Sequence, residues 1–92
     1  MDIKRFFQRS QILKRCKAGE SDVRQADLAG IDLHNVELRK VDLHGANLTG
    51  ADLHGANLSG SDLHGANLSN ANLHRVNLYA TNLSQANLST TT

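Results

Sequence analysis

Along most of this chain a leucine recurs at every fifth residue, and that period rules out both ordinary secondary structures. Leu28, Leu33, Leu38, Leu43, Leu48, Leu53, Leu58, Leu63, Leu68, Leu73, Leu78, Leu83 and Leu88 mark the unit centres, with Val23 in the slot before them. Fourteen such units fill residues 21–90. An α-helix repeats about every 3.6 residues and a strand about every 2, so neither keeps a five-residue series on one face. The backbone must turn once per unit.

If each unit is one short strand plus a corner, the central leucine points inward and its two neighbours point outward. The residue two before the centre is small or branched, as in Ala26, Val41, Ala46, Ala56, Ser61, Ala66 and Ala86, and is expected inside near a corner. Asp or Asn, and once Glu37, stands just before the centre. Gly30, Gly45, Gly50, Gly55, Gly60 and Gly65 stand two after it, where a turn gains most from a residue lacking Cβ. With two Phe, one Tyr and no Trp, the core must be aliphatic. At 92 residues there is room for a single domain, since a second core needs roughly 50 residues of its own.

These features carry a family resemblance. The segments 46–50 (Ala-Asn-Leu-Thr-Gly), 51–55 (Ala-Asp-Leu-His-Gly) and 56–60 (Ala-Asn-Leu-Ser-Gly) closely resemble the pentapeptide-repeat family, whose consensus is A(D/N)LXX. The resemblance covers about three-quarters of the chain. It implies an all-β solenoid, a right-handed quadrilateral β-helix with four units per coil. On that basis residues 21–92 form about three and a half coils with a short C-terminal tail. At ~4.8 Å per layer the body is a stub rather than a rod.

The ends differ in character. Residues 1–20 carry six basic side chains (Lys4, Arg5, Arg9, Lys14, Arg15, Lys17) against Asp2 and Glu20, a net +4. From Ser21 onward four basic residues oppose seven acidic ones, a net −3. Residues 2–17 read as an amphipathic helix with Asp2 as N-cap and Gly19 as a stop; Ile3, Phe6, Phe7, Leu13 and Cys16 form its apolar stripe. We expect residues 1–20 to be an N-terminal α-helix cap and turn covering the first coil. The basic face makes partner or membrane-surface binding the alternative. At the other end, Ser89 and Thr90 to Thr92 offer no second apolar helix, so the last coil is expected to be open, a candidate edge for a homodimer or a partner strand.

Four units per coil also sorts the surface into columns twenty residues apart. His34, His54 and His74 fall on one face, with Arg24, His44 and His64 opposite. The five histidines follow Asp32, Asp52, Asn72, Asp42 and Asp62 by two residues. Stacked imidazoles suggest a metal site, with His34, His54 and His74 as the candidates, or a pH-responsive surface. The simpler reading is duplication of a ten-residue unit that carried its histidine along.

Catalysis finds little support on a flat outer wall without a cleft. Ser59, Ser69 and Ser84 share the outward slot of the histidines. Cys16 has no partner cysteine and reads as a half-buried helix residue. No cofactor is expected. With no signal-like or membrane-spanning run, a cytoplasmic protein is the default. The favoured function is a non-enzymatic protein-interaction or scaffold module using the outer faces, Tyr79 or the open edge, its protein partner unknown. The alternative implied by the resemblance is a DNA-mimic regulator of a type II topoisomerase such as gyrase. A net charge of only −3 argues against it. Direct nucleic-acid binding is weaker still, because the basic cluster has no aromatic stacking platform.

Overall fold

A computed structural model describes residues 9–17 and 23–92. The body follows from one repeated hydrogen-bond scheme. Residues just before each unit centre pair in parallel with those twenty positions on, from Asp27 with Asn47 through Asn67 with Asn87. Twenty residues are four units, so each coil has four walls. The Leu28 N–H donates to the Asn47 carbonyl (2.7 Å), the Asn47 N–H donates back to Ala26 (2.9 Å), and the Gly30 N–H reaches Thr49 (2.8 Å). Each wall is a single bridged residue long rather than an extended strand, because the chain turns again before a second pair can form.

The corners are β-turns closed by bonds such as Ala51 N–H to the Leu48 carbonyl (3.0 Å). Their third residue has positive φ in every described unit. Glycine fills that position six times, while Gln25, Asn35, Lys40, Asn70, Arg75, Ala80, Gln85 and Thr90 adopt it without glycine's freedom. One corner departs from the pattern. The Val41 N–H donates to Ser61 Oγ (3.0 Å) one coil above, and that hydroxyl donates to the Leu38 carbonyl (2.5 Å). Ser61 is the buried polar residue of the core, and both capacities of its hydroxyl are used.

Leucines 28 to 68 and Val23 are buried, and several are wholly inaccessible. Leu73, Leu78 and Leu83 are partly buried against this core. Leu88 departs from the expected core and is 41% exposed, since no described coil lies over it.

Below the first coil lies α1 (Arg9–Lys17). Ile3, Phe6 and Phe7, expected on its apolar stripe, lie outside the described residues, as do residues 18–20, where the turn is expected. Within α1 it is Ile12 that is buried (1% exposed), with Leu13 and Cys16 packed beside it. The expected stripe omitted Ile12, although its i, i+4 spacing to Cys16 places the two on one face. Burial pushes the Cys16 thiol above its ordinary pKa, despite the opposing charge of Arg15.

Candidate functional site

The residues with the most chemistry to offer are the Asp-Leu-His units, and their local geometry follows from strand alternation. Asp and His flank an inward leucine, so both project outward on one wall. The Asp carboxylate then folds over its own unit. In the unit of Asp42, Oδ1 accepts the His44 backbone N–H (3.1 Å) and lies 2.8 Å from His44 Nδ1. The corresponding ring contacts are 2.5 Å for Asp32 with His34, 2.7 Å for Asp52 with His54 and 3.1 Å for Asp62 with His64. An ionised carboxylate can only accept, so in each of these contacts the imidazole donates from Nδ1.

These bonds hold all four carboxyls below their ordinary pKa. For Asp32 and Asp52 the leading cause is the side-chain bond from the neighbouring imidazole, and for Asp62 it is the backbone N–H of His64. For Asp42 the largest effect is desolvation, which opposes the shift, but the two bonds from His44 together outweigh it. Asn72 interrupts the series. It accepts the His74 backbone N–H (3.1 Å), with no ring bond.

The twenty-residue register stacks these units. His34 and His54 lie with ring centroids 5.1 Å apart and planes within 11°; His44 and His64 lie 4.9 Å apart and within 10°. Of the metal candidates His34, His54 and His74, the first two form a stacked pair. Donor atoms of two three-residue groups each lie within 4.8 Å of one another, His44 with Asp62 and His64, and Asp32 with His34 and Asp52. His74 belongs to neither.

Arg9 separates the two walls. Its Nη1 donates to the His34 carbonyl (3.0 Å) and the Asp32 carbonyl (3.4 Å), and it stands 3.5 Å from Asp32 Oδ1. In the coil register, carbonyls at those positions accept from backbone amides nineteen residues earlier, as His44 does from Gln25 and Asp52 from Leu33. One guanidinium thus stands in for two donors of a lower coil. Reading Arg9 as one charge of a basic face missed this, because the sequence gives no register between helix and coil.

Elsewhere on the walls, Tyr79 is 80% exposed. Between α1 and the first coil runs a groove of about 890 Å³ lined by Leu13, Lys14, Cys16, Arg39, Lys40 and Val41 among others. No helix among the described residues is long and apolar enough to cross a membrane.

Comparison with known proteins agrees with this architecture. The profile of the family described as pentapeptide repeats matches residues 19–55 and 51–90. The structure of alr5209, a pentapeptide repeat protein from Nostoc PCC 7120, is similar with a TM-score of 0.79 and 35% identity, covering 99% of this chain and 77% of that one. Rfr23, a pentapeptide repeat protein from the cyanobacterium Cyanothece 51142, gives a TM-score of 0.64 and 37% identity over 76% of this chain and 55% of its own. No curated protein matches. The four-walled register, the left-handed corners and the repeat match lead to one conclusion: this chain belongs to the pentapeptide-repeat family and shares its right-handed quadrilateral β-helix.

Proposed function

We propose that this protein is a non-enzymatic interaction module that presents its outer walls to a protein partner. The observation that carries this reading is Tyr79, a large aromatic left 80% exposed on an outer wall. Exposed aromatics on preorganised surfaces are typical anchors of protein contacts, since they bury much area at little entropic cost. A photo-crosslinking amino acid at position 79 tests it. The expected result is a discrete adduct in native extract that the same probe at Ser69, on another wall, does not give. Equal labelling from both positions defeats the reading.

Two finer features belong to the same proposal. Helix α1 acts as a lid on the first coil, a role supported by buried Ile12 and by the two carbonyls that Arg9 covers. Self-association through the C-terminal coil is the alternative use of that end, supported by exposed Leu88; sedimentation of the purified chain over a concentration series distinguishes it from a heterologous partner. A free thiol at Cys16 accords with a reducing, cytoplasmic setting. The DNA-mimic reading gains little from the walls, where the acidic columns give way to amides at Asn47, Asn57, Asn72 and Asn82.

A further inference from the structure

The two histidine walls are built from the same unit, yet their donor groups differ: two imidazoles and one carboxylate on one wall, one imidazole and two carboxylates on the other. His44, Asp62 and His64 hold donor atoms within 4.8 Å of one another, and all three residues are partly buried. We propose that this trio binds a divalent transition-metal ion of the zinc, nickel or copper type through two imidazoles and one carboxylate. Ligands about 2.1 Å from a shared ion can be at most about 4.2 Å apart. Closing a 4.8 Å span therefore asks for a displacement of well under 1 Å per side chain, within reach of the half-exposed ring of His64. The donor set selects the metal: imidazole suits zinc, copper and nickel, whereas magnesium and calcium prefer oxygen throughout.

The opposite wall is the internal control. Asp32, His34 and Asp52 satisfy the same distance condition. There the Arg9 guanidinium stands 3.5 Å from Asp32 Oδ1 and 3.4 Å from His34 Nδ1, so a cation already fills the position and repels a second. That group also contributes one imidazole instead of two. On the proposed wall, Arg24 takes the slot one coil below His44, and its charge weakens the site from that side.

Calorimetric titration of the untagged full chain with zinc chloride, and separately nickel chloride, tests the assignment near neutral pH. Saturable binding of one ion per chain is expected. His44→Gln and His64→Gln should each weaken it about tenfold or more, as loss of a ligand does, while His34→Gln leaves it nearly unchanged. Zinc should also raise the melting temperature of the parent chain and not of His64→Gln, since an ion that binds only the folded state stabilises it. Absence of saturable binding overturns the proposal, as does an equal loss of affinity in His34→Gln. The substituted side chains lie on the outer walls, and melting without metal checks that each variant is folded.

Discussion

The inner coils and the last coil are built from the same five-residue unit, yet they are physically different objects. Leu48, Leu53, Leu58 and Leu63 are wholly inaccessible, whereas Leu88 is 41% exposed and Leu73, Leu78 and Leu83 only partly covered. Their amides differ in the same way. The Leu53 and Leu58 N–H groups donate to Asn72 and Asn77 one coil above, while those of Leu78, Leu83 and Leu88 have no carbonyl over them among the described residues. A unit of this solenoid does not bury its own leucine; the neighbouring coils do. Stability is therefore a sum of interfaces between layers, greatest in the middle.

The sharpest way to break this comparison is to cut the same side chain from both regions. Leu53→Ala should cost about 2–5 kcal/mol, as for a fully buried leucine, and Leu88→Ala less than about 1 kcal/mol. Urea melts of the two variants check this, and equal losses would refute the layered picture.

A corner glycine gives the next effect. A Cβ added at Gly55 would lie 2.0 Å from Asn35 Oδ1, whereas one at Gly65 meets nothing within 4 Å. Both substitutions bear the left-handed strain of about 1–2 kcal/mol. Gly55→Ala should cost more, and adding Asn35→Ser should return it to the Gly65→Ala level in the same melts.

Hydroxyls at equivalent corners sharpen the contrast further. Ser61 Oγ both accepts and donates inside the inner coils, while Thr81 Oγ1 in the next coil donates once, to the Leu58 carbonyl (2.8 Å). Ser61→Ala leaves the Val41 N–H without its bond and should cost about 1–3 kcal/mol; Thr81→Val should cost about 1 kcal/mol or less. Amide exchange at Val41 should accelerate in the first variant alone.

Smallest is an effect of pH. Asp52, in an inner coil, has its carboxyl lowered by the His54 ring bond, and Asn72 above it carries no charge. A carboxyl lowered by folding contributes stability above its ordinary value of 3.8 and loses it as pH falls through the folded value. The parent should thus lose stability below about pH 4 more steeply than Asp52→Asn. The carboxylate is exposed, so the change is small and shrinks with added salt. Denaturation midpoints from pH 3 to 6 measure it.

Much of the body was legible because periodicity is a local property. The inward leucines, the small residue beside each corner and the turn two positions after the centre can all be read from any five residues. The corner rule was read too narrowly, since Arg75, Ala80 and Thr90 take the same positive φ that glycine marks elsewhere. The candidate site was half legible. Its residues were identified, but the ring-to-carboxylate bonds depend on side-chain rotation, and Arg9 lies twenty-three residues from its nearest carbonyl partner. The helix shows the same limit, for Ile12 is buried by its docking against the coil rather than by any pattern unique to it.

By itself the sequence determined that the backbone turns once per five residues with an aliphatic interior, because only turning reconciles that spacing with one buried side chain per unit. Tertiary structure decided which distant residues become neighbours. The angle at each corner closes the coil after four units, and that closure sets the twenty-residue register. From the register follow the stacking of His44 on His64, the placing of Arg9 against the other wall and the exposure of Leu88.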